Sequence, residues 1–351
     1  MNSENPPPRG PEHPPPHQGY AGTPGDPGHP PPLPPQTPPP APPRPRGPQP
    51  PPPGVEYHRV LASDKRRVGR GIAALVLLLG GMLVFALALG AVASVIEMAF
   101  GLDDPDATPQ EAALTPVQLG AGLFSLALLI PWSMLIQRWL YKVEGASLHS
   151  VRSLFRFDLM GRSLVILLPV WAVYMGVFTQ LMPYDTVPWT TFDLFLMFMV
   201  IVVFTPLQSA GEEYGFRGLA FRIAASWGRG PGAALTLGVV VSSLVFMLVH
   251  LAADPWLNLY YFVLGATLAI ITWRTGGLEI AVVVHAVNNT IAFLLVVVTR
   301  TDLAEGMDRS VGAGSPAMLL PCVLMLAITA VVWWRTRRSG PALTAGQQPP
   351  A

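Results

Sequence analysis

Cysteine is almost missing from this chain. Its single copy, Cys322, excludes an intrachain disulfide framework and any cysteine-built zinc site. Charge is scarce as well: 12% of the 351 residues are Asp, Glu, Lys or Arg, where a soluble domain carries about a quarter. With 51% hydrophobic residues, that excludes a soluble globular protein. The formal net charge is +1, and no basic patch with interleaved aromatics points to nucleic acid as a partner. The sequence has no His-Glu-x-x-His helix, no apolar stretch of the signal-peptide kind near its start, and no paired repeats of broken helices of the sort a transporter would show.

What the chain has is proline, then long apolar runs. Residues 1–60 form a proline-rich tail with little to bury and few backbone donors, so a disordered, locally polyproline II segment is expected, able to engage a cytoplasmic partner. Eight later runs are long enough to cross a bilayer: about 71–98, 117–139, 163–182, 191–211 with a continuation, 233–252, 256–273, 278–299 and 315–334. The fold class is therefore all-α, a polytopic integral membrane protein in contact with lipid. Residues 61–114 hold the first span and an extracytoplasmic loop, 115–300 a core, 301–338 a loop and the last span, and 339–351 a disordered C-terminal tail.

Charge assigns the sides. Lys65, Arg66, Arg67 and Arg70 precede span one; Arg138, Lys142, Arg152, Arg156 and Arg162 lie between spans two and three; Arg217, Arg222 and Arg229 follow span four. Arg274 follows span six, and Arg335, Arg337 and Arg338 follow span eight. Opposite them stand only Arg300 and Arg309, among acids such as Asp185, Asp302 and Asp308. By the positive-inside rule, the protein sits in the cell membrane with both termini cytoplasmic. Between spans two and three, Leu148, Val151, Phe155 and Leu159 share one helical face and His149, Arg152 and Arg156 the other, which predicts a short helix lying in the interface. Tryptophans such as Trp132, Trp171, Trp256 and Trp333 read as an interfacial belt.

Ionisable residues inside spans are expensive and by default functional. Glu212 and Glu213 stand at the end of the fourth run, with Arg217 four residues after Glu213, the spacing of a helical ion pair. Span five ends with Phe246 one turn before His250; span seven carries His285 one turn before Asn289. Two histidines, an asparagine, two glutamates and an arginine thus come from three separate spans.

These three blocks resemble the motifs of the CAAX-protease and bacteriocin-processing family of intramembrane proteases, over roughly residues 115–300. The resemblance implies an intramembrane endopeptidase acting on a membrane-associated peptide, a lipoprotein or a CAAX-type C-terminus presented from the cytoplasm. It implies Glu212 as the base that activates water, His250 as a holder of that water, and His285 and Asn289 as stabilisers of the oxyanion. Glu213 and Arg217 balance charge, and Phe246 orients His250. No cofactor is required on that reading. Glu212, His250 and His285 are also the ligand types of a catalytic zinc site, so a metalloprotease stands beside it. The alternative is a non-catalytic membrane immunity or regulatory protein on the same fold. The proline- and alanine-rich composition looks bacterial.

Depth constrains the fourth span. His250 lies roughly 27 Å into its helix, so Glu212 can meet it only if the fourth helix runs on to about Ser226, before the Gly228–Gly232 break. A long fourth helix, kinked near Pro206, is expected, with Arg222 snorkelling to the surface.

Overall fold

The computed structural model describes residues 47–102, 114–181 and 185–345. Eight helices there are long and apolar enough to span a membrane: α1 (Val68–Phe100), α2 (Pro116–Tyr141), α3 (Phe157–Gln180), α4 (Thr191–Ala225), α5 (Gly230–Val249), α6 (Pro255–Thr275), α7 (Glu279–Thr299) and α8 (Pro316–Thr336). Among the described residues no strand forms, only isolated bridges. The chain is an all-α, multi-pass membrane protein. Its core lies around α6 and α7, whose apolar windows are 50% and 44% buried, whereas α1 is 11% buried and turns its apolar surface outward. Exposed Val76, Leu83, Leu87 and Val95 on α1 suit contact with acyl chains rather than water.

Local chemistry explains where the helices start and stop. Thr115, Thr190 and Asp254 cap α2, α4 and α6 by accepting first-turn N–H bonds. Pro255 sits in the first turn of α6, where a missing N–H costs nothing, and Gly276 ends that helix at φ 67°. Helix α2 breaks at Leu128, three residues before Pro131, which cannot donate to the Ala127 carbonyl. Gly211 of α4 packs against this break, where an added Cβ would overlap the backbone of Leu126 and Ala127. That close approach fixes the depth of the next residue, Glu212.

Helix α4 is continuous from Thr191 to Ala225, as the depth argument requires. It runs through Pro206, and its departure from α geometry lies further on, in a π-helical stretch from Glu213 to Ala220. Short π segments inside α-helices are frequently found at functional sites.

Four expectations need correction. The 148–159 segment is no interfacial helix. A 3₁₀ turn, Gly145–Leu148, leads into bends, and α3 begins at Phe157. Leu148 is buried, Ser150 bridges to Gly277, and Arg156 binds Glu279 through both carboxylate oxygens at 2.8 and 2.6 Å, with Nη1 on the Thr275 carbonyl at 3.1 Å. A buried carboxylate at the start of α7 outcompetes lipid headgroups for that guanidinium. Arg222 does not snorkel; it is fully buried, donating to Gln137 Oε1, Ser147 Oγ and the Ser147 carbonyl, over the Tyr57 ring at 4.0 Å. Trp171 is buried rather than part of a belt. Finally, parts of both expected tails are folded. Tyr57 and His58 are buried, Glu56 bridges to Leu343, and the Thr344 hydroxyl accepts from Val55 N–H and donates to the Pro52 carbonyl. The expectations for residues 1–46 and 346–351 lie outside the described residues.

His58 stacks on Phe221 and is held neutral: burial, then the Arg59 and Arg222 guanidinium groups, push it down to about 4. Its unfolded value is near 6.5, so the unfolded chain binds more protons between those values. Stability is expected to be full above pH 6.5 and to fall by up to about 3 kcal/mol toward pH 4. Thermal unfolding in detergent across that range checks this, and a His58→Phe variant should lose that part of the pH dependence. Independently, Glu279→Ala leaves Arg156 without its buried partner and is expected to cost about 3 kcal/mol. Adding Arg156→Ala to it should cost little more, which a double-mutant cycle of unfolding midpoints reads directly.

Candidate active site

The charged residues of α4 are buried: Glu213 and Arg217 are 0% and 1% exposed and Glu212 8%. They do not form a solvated turn. His285, from α7, lies between the two glutamates, with Nδ1 2.7 Å from Glu213 Oε1 and Nε2 3.5 Å from Glu212 Oε2. The Glu213 carboxylate accepts the Nδ1 proton and so fixes the ring's orientation. Arg217 Nη1 is 3.1 Å from Glu213 Oε1, close enough for ion pairing though off the line of a directed hydrogen bond.

Phe246, on α5, is the ring around which these groups are arranged. The Arg217 guanidinium lies 3.9 Å from its centroid, and the edges of Phe216, His250 and His285 surround it at 5.3, 4.7 and 5.9 Å. A buried cation with too few acceptors gains from a π face what water would otherwise supply. His250 follows the last residue of α5, and its Nδ1 donates to the Phe246 carbonyl at 2.7 Å. That bond leaves Nε2 as the ring's acceptor. The ring stacks on Tyr261 at 3.8 Å.

Asn289 reaches the same place from one turn beyond His285. Its Nδ2 donates to Gln208 Oε1 at 3.3 Å, and its Oδ1 accepts from Asn288 Nδ2 at 2.9 Å. Asn288 is held in turn by the Trp171 indole, which donates to its Oδ1, and by the Tyr260 hydroxyl, which accepts from its Nδ2. Every residue singled out in the three motifs therefore converges on one neighbourhood. Sequence reasoning missed Gln208, Tyr260, Tyr261, Trp171 and Asn288. Gln208 stands four residues before Glu212, one helical turn away, and that spacing was the available signal.

Glu212, His250, His285, Asn289 and Gln208 line a cavity of about 750 Å³. It reaches from mid-bundle to the end of α5 and to the starts of α6 and α8, with Met307 and Arg309 also in its lining. The Asp254 carboxylate, which caps α6, also accepts from Gly312, and Ala253 N–H donates to the Arg309 carbonyl, so the loop after α7 is stapled beside the cavity. The cavity thus lies toward the acid-bearing end of the bundle, away from the arginine-rich end.

Among the described residues no three His, Cys, Asp or Glu side chains are grouped to hold a metal, and both nitrogens of His285 face carboxylates.

If Phe246 stabilises Arg217 through its π face, Phe246→Leu and Arg217→Gln should couple by about 2 kcal/mol in a double-mutant cycle of unfolding free energies. Additive effects would show that the ring only fills space.

Neither the curated proteins nor the solved structures contain a significant match to this chain. Residues 191–291, which carry Glu212, Glu213, Arg217, Phe246, His250, His285 and Asn289, match the family of type II CAAX prenyl endopeptidase Rce1-like proteins, whose activity at family level is CAAX-type intramembrane proteolysis.

Proposed function

We propose that this protein is an intramembrane endopeptidase in which Glu212 activates water to hydrolyse a peptide bond of a membrane-associated or CAAX-type substrate. The observation that carries the reading is Glu212 itself, a nearly buried carboxylate lining a cavity with His250, His285 and Asn289. A carboxylate at mid-bundle contributes little to packing, and Arg217 is already neutralised by Glu213. Its position beside polar donors is what proton transfer needs.

In the proposed step Glu212 takes a proton from water as the water oxygen bonds to the scissile carbonyl carbon. The C=O electron pair becomes an oxyanion. Glu212 then returns the proton to the amide nitrogen, the C–N bond breaks, and a carboxylic acid and an amine leave. The lone pair of His250 Nε2 accepts a hydrogen bond from the attacking water. Asn289 Nδ2 is the donor offered to the oxyanion, and the His285 ring, whose Nε2 faces Glu212, stands beside it. Glu213 and Arg217 act through His285 and not on the substrate, so they are positioning residues. Asn288, Trp171 and Tyr260 hold Asn289 from behind.

Two expectations from the sequence cannot both hold. With the arginine-rich end cytoplasmic, the cavity opens toward the other side, so a substrate presented from the cytoplasm would meet the wrong end of the bundle. We assign the substrate to the bilayer and its extracytoplasmic side. Membrane proteomics of cells carrying the native chain or Glu212→Gln tests both points. Uncleaved termini are expected to accumulate in the variant by about 100-fold or more, at sites within or outside the outer half of the membrane. Identical termini in the two strains would overturn the reading, and cytoplasmic cleavage sites would overturn the sidedness.

A further inference from the structure

A second cavity, of about 630 Å³, lies at the arginine-rich end and shares no lining residue with the first. It is enclosed by the segment before α1 and by the turn between α4 and α5, and three arginines line it: Arg59, Arg66 and Arg229. One carboxylate, Asp64, faces them, so the lining carries 3 − 1 = +2. Among the described residues none of the three arginines has a carboxylate within the 4.0 Å of an ion pair. Ser63 and Ser226 add hydroxyls to the wall. Helix α5 starts here at Gly230 with no side-chain cap on its first-turn donors, so its positive end also faces the cavity.

From these observations we infer that this cavity binds the phosphate of an anionic phospholipid headgroup. Guanidinium groups match phosphate oxygens in pairs, and basic pockets at the ends of spanning helices are where headgroups are held. Lipid is favoured over a soluble phosphate by what lies next to the cavity. Helices α1 and α5 both begin there, and within a few turns both present exposed apolar side chains, Ile72 and Val76 on one and Leu237 and Val240 on the other. A headgroup in the cavity therefore has apolar surface available for its acyl chains. The chemistry is distinct from proteolysis and does not depend on Glu212.

The test uses the full chain purified in a nonionic detergent, with bound lipid counted by native mass spectrometry and affinity followed by thermal shift. Phosphatidylglycerol is expected to bind at least about tenfold more tightly than phosphatidylcholine, and inorganic phosphate at equal concentration to give no shift. Arg59→Gln/Arg66→Gln/Arg229→Gln should lose that preference. Should the triple variant not fold, Arg229→Gln alone, on an exposed turn, should still weaken phosphatidylglycerol severalfold. The matched control, Arg335→Gln/Arg337→Gln/Arg338→Gln, removes the same charge elsewhere on this end and should leave affinity unchanged. Equal binding of phosphatidylcholine, an equal shift with inorganic phosphate, unaltered affinity in the Arg229→Gln variant, or an equal loss in the control would each overturn the inference.

Discussion

The ion pair between Glu213 and Arg217 is the constraint from which the rest of the site follows. Neither group is exposed, so each must be compensated by the protein itself. Glu213 meets this by holding Arg217 on one side and His285 on the other. Arg217 meets it with a carboxylate and the face of Phe246. Those partners tie α4, α5 and α7 to one another, and Glu212 stands beside them on the cavity wall. Removing any one partner strands a charge in a low-dielectric interior. The same motif that supplies the proposed chemistry therefore also fixes helix packing.

Much of the fold could be read directly, because bilayer thickness imposes its length on apolar runs. The eight spans and the continuation of α4 past Glu212 both follow from lengths and depths. The Glu213–Arg217 spacing was legible for a similar reason, since four residues on a helix is a distance. What could not be read are contacts that depend on tertiary partners. The periodicity of Leu148, Val151 and Phe155 is the pattern of an interfacial helix, but Glu279, more than a hundred residues later, captures Arg156 and draws the segment onto the bundle. Arg222 looked like a surface cation until Tyr57, Ser147 and Gln137 closed over it. Trp171 resembled every other tryptophan near a span; its burial and its indole bond to Asn288 mark it as different.

The two ends of the bundle carry opposite chemistry. One holds the arginines, the folded part of the N-terminal tail and a cavity lined by Arg59, Arg66 and Arg229. The other holds the acids, the capping residues of α2, α4 and α6, and the cavity with Glu212. Charge distinguishes the two ends of the bundle, while buried polar groups place its proposed chemistry. Arg309, with Arg300 a cation among these acids, is held beside the cavity by the staple between Asp254 and Gly312 and lies 5.8 Å from the Tyr261 ring.

Thr344 joins the two ends of the folded chain, its hydroxyl bonded to both Pro52 and Val55. Nearly the whole polypeptide is thereby closed into a single loop, and closing so long a loop costs only a few kcal/mol more than closing a short one. Timing matters more than this cost. During synthesis the segment around Tyr57 emerges before any span, yet its partner is made only after α8. The contacts of Pro52, Val55 and Glu56 with this segment therefore stay unmade until the last helix has been synthesised, which makes the seam a late step of assembly.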